Sequence, residues 1–492
     1  MCIHLFISST LGGFFLKEYD VIVIGTGSAM EIVSAAIQQN PSLKIAVIDK
    51  DDPGGICLTR GCIPSKILLY PSELVKTIER ARDFGLNIEI KKIDFVQIME
   101  RMRTFVSTEI ATIKQNLLNT KNIDYFPTTA QFTAPYALTV GDTDITSNLI
   151  ILCIGSRPDI PTIPGLHTTG YLTSDTILKL RSLPKSIVII GGGYIAAEYG
   201  YFLATMGSQV TIIGRNPQFL PEEEPEISAL AKSELQTYIT IITNHEVRRA
   251  DKTFIGKKTL IAVNRETQNE VELTGDEILV ATGRASNTDL LHPEKSGINL
   301  DDRGFIVVNE YMETSQPNIW ALGDADGKYL FKHVANYEAM IVYYNAFLKQ
   351  MIKADYHAVP HAIFTHPEIA SVGLTEKKAI EIYSEDNVLI GLHRYQDVAK
   401  GEAMNLKDYF VKVLVERDTM KILGAHIIGP EASILIQEVV NLMYTNDQNM
   451  GPLFKAMHIH PALNEVVQRA FSSLMIPAHY HHVLQEHFQL PT

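Results

Sequence analysis

The sequence predicts an α/β protein, with two nucleotide-binding βαβ halves followed by an α+β C-terminal module. Three observations predict it. A strand-length apolar run enters a glycine-rich turn and then a helix pattern twice, at residues 19–30 and again at residues 186–198. From about residue 356 the pattern changes to alternating strands and helices without such a turn. The length of 492 residues suggests about three domains, each large enough for its own core.

The first half opens with Tyr19-Asp20-Val21-Ile22-Val23-Ile24, a buried-strand run leading into Gly25-Thr26-Gly27-Ser28-Ala29-Met30. A tight turn, a close backbone approach to a pyrophosphate and a helix N-terminus aimed at it make up the dinucleotide fingerprint. Met30 departs from it, because glycine or alanine is usual there. The next strand, Lys44-Ile45-Ala46-Val47-Ile48, ends in Asp49, at the distance expected for an acid that holds a ribose hydroxyl.

Just downstream lie Cys57 and Cys62, in Gly54-Gly55-Ile56-Cys57-Leu58-Thr59-Arg60-Gly61-Cys62-Ile63-Pro64-Ser65-Lys66. The Pro-Ser-Lys run reads as a helix start, whose partial positive charge, with Arg60 and Lys66 nearby, favours a thiolate. A structural bridge, half a zinc site or two core cysteines are the alternatives. Zinc requires four ligands, and the remaining cysteines are Cys2 and Cys153; neither is a convincing partner. Cys153 reads as a small buried core residue within an apolar run. With so few cysteines the compartment reads as reducing, which favours catalytic over structural thiols. A thiol pair beside a redox dinucleotide points to electrons passing between cofactor and disulfide.

The second half repeats the pattern: Ser186-Ile187-Val188-Ile189-Ile190, then Gly191-Gly192-Gly193-Tyr194-Ile195-Ala196-Ala197-Glu198, then Gln209-Val210-Thr211-Ile212-Ile213. Gly214 stands where an acid would bind the ribose 2′-hydroxyl of NAD, and Arg215 follows, which favours the 2′-phosphate of NADP. A solvated surface arginine is the alternative. One flavin and one nicotinamide nucleotide is the simplest account of two such turns around a cysteine pair. Residues 277–284 read as a strand ending in a turn at Gly283. Residues 318–325 form another, with Asp324 ready to accept a ribityl or ribose hydroxyl. Gly-Asp turns at strand ends are also common without a ligand.

In the C-terminal third, residues 409–415 and 422–428 read as strands and 433–440 as a helix. His460-Pro461 is followed by Glu465, a pairing in which a carboxylate would fix the imidazole tautomer and stabilise its charged form. A surface or satisfied core histidine is the alternative.

The formal net charge of −13 and the lack of a long basic run argue against nucleic acid as a partner. No apolar stretch approaches a bilayer-spanning length. Residues 1–15 are apolar without a basic n-region, which suggests a mis-called start or a disordered tail rather than a signal peptide. A cytoplasmic location is expected.

Together these residues resemble the class I pyridine nucleotide–disulfide oxidoreductases, from about Lys17 to Phe471. The resemblance implies an N-terminal tail (1–16), an FAD-binding and central region (17–180 and 276–352), an NAD(P) domain (181–275), a dimer-interface domain (353–470) and a C-terminal tail (471–492). It implies FAD held by Gly25, Gly27, Ser28, Asp49, Lys66 and Asp324. It implies NAD(P), leaning to NADP, at Gly191, Gly193, Tyr194, Glu198, Arg215 and Gly283. Lys66 and Glu198 match a pair beside the flavin, and Tyr194 an aromatic gate of the glutathione reductase branch.

By the same resemblance Cys57 and Cys62 are the redox-active disulfide, with Cys57 exchanging with substrate and Cys62 facing the flavin. His460, oriented by Glu465, protonates the leaving thiol from the other subunit of a homodimer. The substrate is a small-molecule or protein-bound disulfide or dithiol. The dihydrolipoamide dehydrogenase type, a component of 2-oxo acid dehydrogenase complexes, is the first expectation. An NADPH-dependent low-molecular-weight disulfide reductase, similar to mycothione or glutathione reductase, is the alternative. A non-catalytic flavoprotein subunit is a third reading, and it predicts a damaged site, whereas Cys57, Cys62, His460 and Glu465 are all present. No metal is expected; His479, His481, His482 and His487 read as a solvated or packed tail, with a metal role as the alternative.

Overall fold

A computed structural model describes residues 16–487, so the expectations for residues 1–15 and for the His487 side chain lie outside the described residues. The first nucleotide-binding half runs β1 (Val21–Ile24), α1 (Ala29–Gln39), β2 (Ile45–Ile48), α2 (Gly55–Thr59), α3 (Cys62–Arg80), β3 (Ile123–Phe126) and β4 (Ile150–Leu152). The second runs β5 (Ser186–Ile190), α4 (Tyr194–Thr205), β6 (Gln209–Ile213), α5 (Pro225–Leu235), β7 (Thr240–Ile242) and β8 (Glu277–Val280). The chain then returns through β9 (Ile319–Ala321) to α6 (Lys332–Ala346).

By their contacts the residues form two units. One comprises the chain up to Cys62 with Phe105–Arg157 and Arg284–Ala354; the other comprises Ile63–Thr104, Pro158–Gly283 and the chain from Asp355 onward. Residues 63–104 and 158–180, expected with the flavin region, thus group with the second unit. In the first unit a five-stranded parallel sheet has the order β9-β4-β1-β2-β3. The strands β4, β1 and β2 at its centre are Val/Ile-rich and buried on both faces, as parallel sheets require, while the edge strand β3 is half-buried. In the second unit β8-β5-β6-β7 repeat the arrangement, with Leu172–Thr173 added beyond β8.

The two glycine turns are built alike. Gly25 has φ +102°, and a Cβ there would stand 2.0 Å from the Cys153 carbonyl oxygen just past β4. Gly191 has φ +135°, and its Cβ would stand 2.1 Å from the Ala281 oxygen just past β8. Only glycine lets each chain pass so close to the end of the neighbouring strand before entering its helix.

The C-terminal module is an α+β layer. Its strands are β10 (Pro360–Ile363), β11 (Ile369–Gly373), β12 (Val388–Arg394), β13 (Phe410–Glu416), β14 (Ile422–Ile428) and β15 (Leu474–Met475). They form one antiparallel sheet in the order β10-β11-β14-β13-β12-β15. Helices α7 (Glu376–Tyr383), α8 (Ala432–Met443), α9 (Glu465–Ser472) and α10 (Pro477–His487) accompany it. Residues 472–487 are anchored rather than wholly solvated: Tyr480 is fully buried and hydrogen-bonds Glu226, and His481 meets Glu376 at 2.7 Å, while His479 and His482 are exposed. Among the described residues, no helix is long and apolar enough to cross a membrane.

Candidate active site

In the first unit the Gly25–Ser28 turn is stapled to the thiol loop. Asp49, just past β2, accepts from Thr26 N and Thr26 Oγ1 at 2.8 and 2.5 Å and from Asp51 N at 3.0 Å. Thr26 Oγ1 in turn accepts from Gly54 N at 3.0 Å. Gly55 opens α2 directly against the turn; a Cβ on it would stand 2.6 Å from Gly27 Cα. The turn therefore fixes where α2, and Cys57 on it, begins. Asp324 is half-buried after β9, hydrogen-bonded by Ser156 and 3.8 Å from Arg284, and desolvation raises its carboxyl pKa. Met30 is half-buried in the first turn of α1.

These residues fit a dinucleotide. The glycine turn leads directly into the N-terminus of α1, which no side chain caps; Asp49 stands at the end of the next strand, and Asp324 lies at the end of a third.

Cys57 is half-buried on α2, and Cys62 is exposed as the first residue of α3; both are free thiols. The helix start expected at Pro64 thus begins two residues earlier, at the second thiol itself. The hydrogen bond that the Cys57 thiol gives to Cys62, then burial, push the Cys57 pKa well above its ordinary value, while Lys332 pulls it down. The two cations credited by the sequence with favouring a thiolate are committed elsewhere. Arg60 pairs with Asp51 at 2.6 Å, and Lys66 pairs with Glu198 at 2.7 Å. Burial likewise pushes the Cys153 thiol up to about 11, consistent with an inert cysteine.

In the second unit Gly193 caps α4 in extended conformation, with nothing within 4 Å of where its Cβ would be. Tyr194 begins the helix, partly exposed, and Glu198 lies one turn on and buried. Glu198 accepts from Lys66 Nζ and from Phe364 N at 3.0 Å, and Lys66 sits over the Phe364 ring. Gly283, three residues past the end of β8, has positive φ and open space beside it. A Cβ on Gly214 would stand 3.3 Å from Gly192 Cα, so an acid there would crowd the glycine turn. Arg215 is exposed, and Arg265 donates to its carbonyl oxygen at 3.1 Å.

His460 and Glu465 come together as expected. His460 Nδ1 lies 3.0 and 3.1 Å from the Glu465 carboxylate oxygens, and Ala462 N donates to the same group at 3.2 Å. An ionised carboxylate only accepts, so Nδ1 carries the proton and Nε2 faces outward. The His460 hydrogen bond holds the Glu465 pKa below the ordinary range, so the carboxylate keeps orienting the ring at mildly acidic pH. We expect His460→Ala to lower disulfide turnover about a hundredfold or more at unchanged FAD content. Steady-state rates check this, and an unchanged rate would remove His460 from the role.

Sequence reasoning missed Thr26, Asn336 and Lys332. Ser28 Oγ donates to Asn336 Oδ1 and accepts from Lys332 Nζ, each at 2.8 Å. A lysine in the first turn of a helix, against the dipole, was the available signal. Among the described residues Glu224, Glu226 and Glu376 lie together, with the Lys412 ammonium already between them.

The pyridine nucleotide-disulphide oxidoreductase pattern matches residues 19–339, and the dimerisation domain of the same family matches residues 359–471. The chain belongs to this family. Mycothione reductase of Mycobacterium tuberculosis is 34% identical over 478 residues, covering 93% of this chain and 100% of the relative. Dihydrolipoyl dehydrogenase of Chlamydia pneumoniae is 34% identical over 478 residues, covering 94% and 99%. The structure of the HOCl-induced flavoprotein disulfide reductase RclA from Escherichia coli superposes with a TM-score of 0.81 at 27% identity, covering 93% and 99%. The protein is thus a flavoprotein disulfide oxidoreductase of a family that uses FAD and NAD(P)H, and it carries the family's dimerisation domain.

Proposed function

We propose that the protein is an NADPH-dependent, FAD-containing reductase of a low-molecular-weight disulfide, working as a homodimer. The observation that carries the NADPH reading is the end of β6. An acid at Gly214 would crowd the glycine turn, and Arg215 stands next to it with no carboxylate partner among the described residues. An arginine without a carboxylate suits a 2′-phosphate.

Bound at Gly25–Ser28, Asp49 and Asp324, FAD would supply two-electron transfer from nicotinamide to the Cys57–Cys62 disulfide. The thiols do the exchange. Cys57, as thiolate, attacks one sulfur of the substrate disulfide, giving a mixed disulfide and a leaving thiolate. His460 of the partner subunit gives that thiolate a proton from Nε2. Cys62 then attacks the Cys57 sulfur, which restores the protein disulfide and releases the second substrate thiol. The pair loses two electrons, and the substrate gains them. Met457 and Ile459, beside His460, are exposed apolar side chains at 99% and 76%, which supports their burial by a second copy.

The similarity to dihydrolipoyl dehydrogenase favours a second reading, with NAD and a lipoyl dithiol as substrates. Anaerobic mixing of the oxidised holoenzyme with NADPH or NADH, followed by flavin absorbance, separates the two. NADPH should reduce the flavin at least about tenfold faster at equal concentration. Arg215→Glu should erase that preference. Faster reduction by NADH would overturn the NADPH reading and favour the dehydrogenase.

A further inference from the structure

We propose that Arg265 is a second arginine of the nicotinamide nucleotide site, sharing the 2′-phosphate of NADPH with Arg215 and so strengthening the choice of NADPH over NADH. The inference deepens the NADPH reading and rests on it.

Arg265 reaches the end of β6 from a different sheet of the second unit. It follows the strand Lys258–Asn264, in the tight turn that leads to the strand Glu270–Gly275. That turn holds itself. Asn264 N donates to Asn269 O and Gln268 N to Asn264 O, each at 2.9 Å. Asn264 Oδ1 accepts from Glu266 N at 3.0 Å and from Thr267 N at 2.9 Å, the asparagine-led turn that this residue type favours. None of these bonds uses the Arg265 side chain, so the turn does not need an arginine.

The arginine instead crosses to the nucleotide-binding sheet. Its backbone N donates to Asn244 O at 2.9 Å, just past β7. Its Nη1 donates to Arg215 O at 3.1 Å, just past β6. Asn244 N donates in turn to Asn216 O at 2.8 Å, and His245 N to Gly214 O at 3.0 Å. The segment from Gly214 to Asn216 is thereby tied down, and the Arg265 guanidinium lies against the main chain of Arg215 itself. A guanidinium carries several N–H donors in a planar fork, and this contact uses one of them. The fork matches phosphate oxygens in a way that an ammonium does not.

The charges point the same way. Arg248 and Arg249, on the strand paired with Lys258–Asn264, meet Glu246 at 2.8 Å and Asp251 at 2.6 Å. Arg215 and Arg265 are both exposed, and neither forms an ion pair with a carboxylate among the described residues, the adjacent Glu266 included. Acids are not scarce, since the chain has 56 of them against 43 lysines and arginines. Two neighbouring arginines repel each other, and an anion bound by both relieves that repulsion. A ribose 2′-hydroxyl brings no such charge, whereas a 2′-phosphate does.

The test uses the full-length, oxidised, FAD-loaded protein, with 2′,5′-ADP and 5′-AMP as probes that differ only in the 2′-phosphate. Titration calorimetry at fixed ionic strength reads both affinities without turnover. The parent should bind 2′,5′-ADP at least about tenfold more tightly than 5′-AMP. Arg265→Gln keeps a donor for the Arg215 carbonyl but removes the charge. It should weaken 2′,5′-ADP about tenfold and leave 5′-AMP within about twofold. Arg265→Lys should fall between the two, because it keeps the charge and loses the fork.

An Arg265→Gln variant with the parent's ratio of affinities overturns the proposal. So does one that weakens both probes equally, because that marks a clamp on the loop rather than a phosphate ligand. Arg215→Glu separates this from the underlying reading. If the parent itself does not favour 2′,5′-ADP, the NADPH reading fails and takes the role of Arg265 with it. If the parent favours it and Arg215→Glu removes the preference while Arg265→Gln keeps it, only the role of Arg265 fails.

Discussion

Cys62→Ser is expected to abolish disulfide turnover, leave FAD bound, and trap substrate on Cys57. The cofactor-facing residues are unaffected by the change, because the Gly25–Ser28 turn, Asp49 and Asp324 make their hydrogen bonds without it. What is lost is the second thiol. Cys57 can still attack a disulfide, but a serine hydroxyl cannot resolve the mixed disulfide that results. The half-buried position of Cys57 and the exposed position of Cys62 at the first residue of α3 make the two thiols inequivalent, so their variants should differ. Cys62→Ser should accumulate one substrate adduct per chain on Cys57, visible by intact-protein mass spectrometry. Cys57→Ser should accumulate none. Adducts on Cys62 instead would exchange the two roles, and sustained turnover in either variant would end the dithiol mechanism.

Much of the fold was legible because buried strands announce themselves as short apolar runs. Residues 186–190, 209–213 and 422–428 are strands at the predicted boundaries, and the glycine turns follow where the fingerprint places them. The His460–Glu465 pair was legible too, because both partners lie within one turn-and-helix start. The electrostatics around the thiols were not. Arg60 and Lys66 are near Cys57 and Cys62 in sequence, yet each is tied to a carboxylate, one of them Glu198 on a distant helix. The cation that does act on Cys57 comes from α6, and no local pattern could connect it. The contact-based units were also hidden, since residues 63–104 read as continuous with the flavin-binding half but pack with other segments.

Lys412→Met is expected to cost about 3–5 kcal/mol of stability near neutral pH, the range for breaking a buried ion network by removing one partner. The Lys412 side chain, on β13, has no exposed surface. Its ammonium lies 3.1 Å from Glu224, 2.5 Å from Glu226 and 2.6 Å from Glu376. Two of these acids sit at the start of α5 and the third at the start of α7, where helix dipoles favour negative charge. Burial alone would lower the pKa of Lys412, but the carboxylates of Glu226, Glu224 and Glu376 together raise it, so the ammonium stays charged. The tail joins the same cluster through Tyr480 on Glu226 and His481 on Glu376. Without the lysine, buried carboxylates face one another, and their pKa values rise above those of the unfolded chain. That penalty grows as pH rises through the raised values and fades as the groups protonate. In the parent, Glu226 has a lowered pKa, so its contribution is present above the ordinary carboxylate range and is lost as pH falls. Both effects move the same way: the gap between parent and Lys412→Met should be largest near pH 7.5 and shrink toward pH 5. Denaturant midpoints at the two pH values measure it, and adding Glu226→Gln to Lys412→Met should recover part of the loss at pH 7.5. A gap below about 1 kcal/mol at pH 7.5, or one that widens in acid, would show that the cluster is not held together by this charge.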